Sequence, residues 1–73
     1  MTVPLVQITL VEGRSPEQLR TLISAVTRAC VESVDAPLES VRVVLREVPA
    51  THFAAGDVTI AERQAQRHTA QSS

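Results

Sequence analysis

Cystine cross-links are excluded first: Cys30 is the only cysteine in the 73 residues, and no Cys/His spacing of the structural-zinc kind accompanies it. Aromatic surface is just as scarce. Phe53 is the single aromatic residue, with no Trp or Tyr, which leaves Val, Leu, Ile and Ala to build a core. Lysine is absent, all seven basic residues being Arg, and eight acidic residues interspersed among them bring the net charge to -1. That pattern holds no basic face of the kind that grips nucleic acid. No apolar run approaches the ~18 residues of a membrane span, and no charged segment followed by an apolar one opens the chain. These absences imply a cytoplasmic protein with neither nucleic acid nor membrane as partner, and with no metal or cofactor site of recognisable spacing.

What is present fits one domain. A monomer of this length buries too small a share of its surface to be comfortable alone. With disulfides and structural metal set aside, partner subunits remain as the source of stability. The segment V-P-L-V-Q-I-T-L-V from Val3 to Val11 is β-branched and apolar, with Gln7 and Thr9 on one face by the two-residue period. This predicts a first strand, with Pro4 near its start, where a missing N–H costs least. Glu12-Gly13-Arg14 turns the chain. Ser15 then supplies an N-cap hydroxyl, Pro16 fits the first helical position, and Gln18 completes a capping box. Leu19, Leu22, Ile23, Val26, Ala29 and Cys30 share one helical face, so a helix is expected from about Pro16 to Val34, ended by Asp35-Ala36-Pro37.

A second strand is expected over Val41 to Val48, with Val41, Val43 and Leu45 toward the helix and Arg42, Val44 and Arg46 on the opposite face. A strand, a crossover helix and a second strand of one sheet pair in parallel. After Pro49, Gly56-Asp57 between apolar residues reads as a weak hairpin or an arm. The reading is therefore an α/β chain, a single β-α-β unit with a short C-terminal hairpin or arm, its domain spanning residues 1–65. Residues 66–73, polar throughout, read as a disordered tail.

Three blocks carry a resemblance: P-L-V-Q-I-T-L-V-E-G-R-S-P-E-Q, then D-A-P-L-E-S-V-R-V-V-L-R-E-V, then H-F. In residue type and spacing, from Pro4 to about Glu62, the chain resembles the 4-oxalocrotonate tautomerase family. The resemblance implies a tautomerase-like fold, a homo-oligomer that is a hexamer, no cofactor, and a role in aromatic catabolism. It implies an isomerase that moves a proton between the enol or dienol and keto forms of a 2-hydroxymuconate-like acid. By place in the motif, Pro4 would be the general base. Arg42 would bind the carboxylate and oxygen at the reacting end, Arg14 the distal carboxylate, and Phe53 would wall the site. The chemistry suits these residue types. An α-amino group titrates near ~8 in simple compounds, and desolvation with a nearby guanidinium lowers that toward neutrality, where a base is most useful. Arginine's planar fork takes a carboxylate bidentately.

The family's proline is the first residue after removal of the initiator methionine, whereas Met1, Thr2 and Val3 precede Pro4 here. An internal prolyl nitrogen is a tertiary amide with no basic lone pair. Activity is thus conditional on Pro4 becoming the mature N-terminus, by trimming or by initiation at the codon for Val3. Two alternatives stay open: a non-catalytic tautomerase-like subunit, homomeric or paired with an active partner, and a hydrolytic, dehalogenase-type activity of the same superfamily. A ribbon-helix-helix DNA-binding protein is excluded because the first strand carries no Arg or Lys to read bases. Arg46 reads as an ion-pairing residue at an interface, Cys30 as a small core residue, and His52, Glu12 and Glu47 as structural or solvated. Ala54-Ala55 and Asp57 stand where the family tends to carry glycine, which bears on the shape of the arm.

Overall fold

The computed structural model describes the backbone of residues 4–72 and the side chains of residues 4–67. Met1, Thr2 and Val3, on which the reading of Pro4 turns, lie outside the described residues, as does Ser73. Alternation sets the first element. β1, Leu5–Val11, half-buries Val6, Ile8 and Leu10 on one face and exposes Leu5, Gln7 and Thr9 on the other. Gly13, at φ 130, then takes a backbone conformation that L side chains rarely adopt and turns the chain toward the helix.

α1, Pro16–Val34, begins on the expected capping box: the Gln18 N–H donates to Ser15 Oγ at 3.1 Å, and the Ser15 N–H donates to Gln18 Oε1 at 2.9 Å. Two otherwise orphaned donors of the first turn are satisfied reciprocally. The helix ends where Asp35 takes a left-handed conformation, φ 57, and Pro37 keeps Ala36, the residue before it, out of the helical region. A 3-10 turn over Leu38–Ser40 follows, closed by the Ser40 N–H on the Pro37 carbonyl at 3.0 Å. That turn was not expected, and it takes up Val41 as its cap, so β2 runs Arg42–Val48 and not from Val41. β1 and β2 pair in parallel from Leu5↔Arg42 to Val11↔Val48. Val43 and Leu45 face α1, while Arg42, Val44 and Arg46 share the uncovered face with Leu5, Gln7 and Thr9. The β-α-β unit is as the sequence predicts.

The C-terminal arm is a hairpin. A 3-10 turn, Ala50–His52, leads through Phe53 into β3, Ala54–Ala55, which pairs antiparallel with β4, Val58–Thr59. The two turn residues, Gly56 and Asp57, have φ of 60 and 66. A two-residue hairpin of the type I′ kind requires positive φ at both central positions, and Asp is one of the few side chains that tolerates it. Alanine in the strands therefore does not prevent the arm from forming.

α2, Ile60–Ser72, runs into the segment read as a disordered tail, residues 66–73, of which Ser73 lies outside the described residues. The physical reason is a second capping box that sequence reading passed over. The Thr59 N–H donates to Glu62 Oε1 at 2.8 Å, the Thr59 hydroxyl to the same oxygen at 3.1 Å, and the Glu62 N–H to Thr59 Oγ1 at 3.1 Å. Glu, Arg, Gln and Ala, all good helix formers, then carry the helix on. Arg63 Nη2 donates to the Ala55 carbonyl at 3.1 Å and ties α2 to the hairpin.

The bonds from the Thr59 backbone and side chain hold the Glu62 carboxyl below its ordinary value. A depressed folded-state value means the cap's contribution is complete above the unfolded carboxylate range and is lost as pH falls through the folded value. Protection of the Thr59 amide, its exchange rate taken relative to the intrinsic rate at each pH, is expected to fall on acidification through that window, and Glu62→Gln to remove this pH dependence. An exchange profile identical in the two proteins would discard the cap.

The core is missing from this single chain. Ala36, 7% exposed, is the one residue among those described that is buried, while Leu5, Leu38 and Val34 expose 58, 65 and 65% of their surface. The radius of gyration is 16.5 Å, against about 11 Å for a compact chain of this length. The accessible surface is 5703 Å², where size scaling gives roughly 4,400 Å². One helix on a two-stranded sheet covers one face of that sheet and leaves the other bare.

Candidate active site

A parallel β-α-β unit starts both strands at the same end, and this places Pro4 beside Arg42. The Arg42 N–H donates to the Pro4 carbonyl at 3.0 Å, one step beyond the Leu5↔Arg42 pair. The half-buried proline is thereby pinned through its own main chain to Arg42. The Arg42 side chain is exposed on the uncovered face, and among the described residues it has no acidic partner. Its charge is free for a carboxylate.

Arg14 stands elsewhere. It follows β1, and Arg14 Nη1 donates to the Val11 carbonyl at 2.9 Å. At ~3.3 Å per residue, the seven residues from Pro4 to Val11 span about 23 Å, which exceeds the reach of an arginine side chain. Glu12 N–H on the Val48 carbonyl, 2.9 Å, closes the sheet at this far end. Phe53, half-buried, comes after the far end of β2 as well, its carbonyl held by the Ile60 N–H at 2.8 Å. One chain thus brings together Pro4 and Arg42 and holds Arg14 and Phe53 apart from them. The sequence reading had already put Pro4 at the start of the first strand and Arg14 in the turn that follows it, and the parallel register places Arg42 with Pro4 and not with Arg14.

A concavity of about 470 Å³ lies away from Pro4. It runs along the outer flank of α1 over Ile23, Thr27, Val31 and Leu38, rimmed by Arg20 and Arg28. It marks an unpartnered helix flank and holds no residue of the proposed chemistry. Among the described residues no cluster of three or more His, Cys, Asp or Glu could hold a metal ion.

The family model described as tautomerase enzyme matches residues 4–63. The chain belongs to the tautomerase family. Within that family, the 2-hydroxymuconate tautomerase of Stutzerimonas stutzeri is 53% identical over 53 residues, covering 73% of this chain and 84% of that one. A solved 4-oxalocrotonate tautomerase isozyme from Methylibium petroleiphilum superposes with a TM-score of 0.83 at 38% identity, over 86% of this chain and 98% of its own. The heterohexamer 4-oxalocrotonate tautomerase from Chloroflexus aurantiacus J-10-fl superposes with a TM-score of 0.78 at 42% identity, over 81% and 95%. The tautomerase match begins at Pro4, and α2 continues past its last residue, Arg63.

Proposed function

We propose that this tautomerase-family chain is a subunit of a cofactor-free isomerase acting on a 2-hydroxymuconate-like acid, with Pro4, once it is the mature N-terminus, as the base. The observation that carries the reading is the 3.0 Å bond from the Arg42 N–H to the Pro4 carbonyl, which sets the backbones of the two residues side by side at one end of the sheet. A free secondary amine there takes the proton from the enol hydroxyl and returns it to carbon. Bonds balance without an oxidant or reductant: one O–H and one C–H exchange, and the double bonds shift. Arg42 holds the carboxylate and the oxygen on which charge changes in the transition state. Arg14 holds the distal carboxylate, and Phe53 supplies an apolar wall. The proposal is tested by turnover of 2-hydroxymuconate by a chain that starts at Pro4.

The division of the site between the two ends of the sheet favours a homo-oligomer, read here as a hexamer, in which neighbouring subunits supply Arg14 and Phe53. The absence of a buried core supports the same reading. Light scattering at micromolar concentration is expected to give six times the 7.9 kDa subunit mass. A stable monomer would refute the architecture.

A second reading rests on Met1, Thr2 and Val3. If they remain, the chain has no basic prolyl nitrogen and serves as a non-catalytic subunit, alone or with an active partner. That a relative assembles as a heterohexamer lends this reading support.

A further inference from the structure

The uncovered face of the sheet carries an arginine that the proposed chemistry does not use. Arg46 lies in register with Thr9, and Gln7 with Val44 two pairs closer to Pro4. Alternation along the strands puts Gln7, Thr9, Val44 and Arg46 on the same side, all exposed. These residues line a concavity of about 100 Å³. It is bordered by a guanidinium, a hydroxyl and a carboxamide, three side chains able to donate hydrogen bonds to a small oxyanion.

Charge on this face is one-sided. Leu5, Gln7, Thr9, Arg42, Val44 and Arg46 include two cations and no carboxylate. Arg46, which sequence reasoning assigned to an interfacial ion pair, has no acidic partner among the described residues. Copies of the chain that meet through this face gather positive charge that nothing on the face neutralises. Withdrawing an uncompensated guanidinium from water is costly. A bound anion removes that cost and gains charge-assisted hydrogen bonds.

We propose that Gln7, Thr9 and Arg46 form an anion site for inorganic phosphate or a similarly small oxyanion, separate from the Pro4–Arg42 end, and that its occupation stabilises the assembled protein. The four residues from Arg42 to Arg46 span ~13 Å of strand. The site therefore works independently of the isomerase reading, and its failure would leave that reading standing.

The test is thermal unfolding of the full chain in millimolar phosphate against chloride at matched ionic strength, paired with equilibrium dialysis of labelled phosphate. Matching ionic strength removes general screening, and comparison of variants removes the general stabilisation that phosphate gives any folded protein. The expected result is saturable phosphate uptake, with a rise in Tm of several degrees beyond that seen for Arg46→Gln. Uptake should be abolished in Arg46→Gln and retained in Arg42→Gln. Thr9→Val, which keeps the shape and removes the hydroxyl, should weaken phosphate binding about tenfold. It carries the test should Arg46→Gln fail to fold. Three results overturn the proposal: no saturable uptake by the unaltered chain, the same uptake in Arg46→Gln or Thr9→Val, or uptake lost in Arg42→Gln and kept in Arg46→Gln. An assembly that weakens in Arg46→Gln with no phosphate dependence in the unaltered chain would return Arg46 to an ion pair with an acidic residue of another copy.

Discussion

Deleting Thr2 and Val3, so that the initiator methionine abuts Pro4 and is clipped, is expected to raise turnover of 2-hydroxymuconate by about 100- to 10,000-fold over the chain that begins at Met1 or Thr2. That range is the contribution of a correctly placed general base. The reasoning is covalent before it is structural. With Val3 attached, the prolyl nitrogen is a tertiary amide and its lone pair is delocalised into the carbonyl; with Val3 gone, it is a secondary amine. Nothing else in the described residues has to change, because the Pro4 carbonyl stays on the Arg42 N–H in either form. Activity of the shortened chain should rise with pH as the prolinium loses its proton. Pro4→Ala in that chain should lose much of the gain, the residue coming from the primary amine that alanine leaves. Equal rates from full-length and shortened chains would end the proline-base mechanism here. Inactivity of both on several enol acids would leave the non-catalytic subunit as the better account. Intact mass from the native host decides which form exists there: a mass beginning at Pro4 selects the enzyme, and one beginning at Thr2 the silent subunit.

The contrast between what was legible in the sequence and what was not follows from the range of the forces involved. α1 could be read from Pro16 to Val34 because its signals are local: a hydroxyl at the cap, a proline at the first turn, and Pro37 just beyond the end. The pairing of Pro4 with Arg42 was also within reach, since a parallel crossover starts both strands at one end. Thr59 and Glu62 were readable as well, and the polar composition that follows them drew attention away from the cap that initiates α2. The separation of Arg14 from Pro4 was legible too, since Pro4 starts the predicted first strand and Arg14 follows it, about 23 Å away at the rise of an extended chain. The structure adds that Arg14 is fixed to the Val11 carbonyl. Arg46 was read as pairing with a carboxylate across an interface, and the strand register adds that its own sheet face holds no carboxylate beside it.

That separation makes the second large effect a matter between subunits. In the chain beginning at Pro4, Arg42→Ala is expected to lower kcat by about 100- to 1,000-fold with a smaller change in KM, because its guanidinium meets charge that develops in the transition state. Arg14→Ala is expected to raise KM about tenfold or more with kcat little changed, the loss of a charge-assisted contact made equally in ground and transition states. Since no chain can bring its own Arg14 to its own Pro4, the loss of Arg14 in one kind of subunit and a blocked Pro4 in another should complement each other. Take subunits that begin at Pro4 and carry Arg14→Ala, and mix them, by unfolding and refolding together, with full-length subunits whose Pro4 is blocked and whose Arg14 is intact. A fraction of sites then pairs a free proline with an arginine from the other kind of subunit, and a low-KM component should reappear that neither preparation shows alone. Arg42 is intact in both, so its origin does not affect the outcome. Mixed assemblies verified by mass that show only the raised KM would mean that Arg14 does not bind substrate at a neighbour's proline. Recovery would show that the chain carrying its three extra residues, silent by itself, still supplies a working arginine to an active partner.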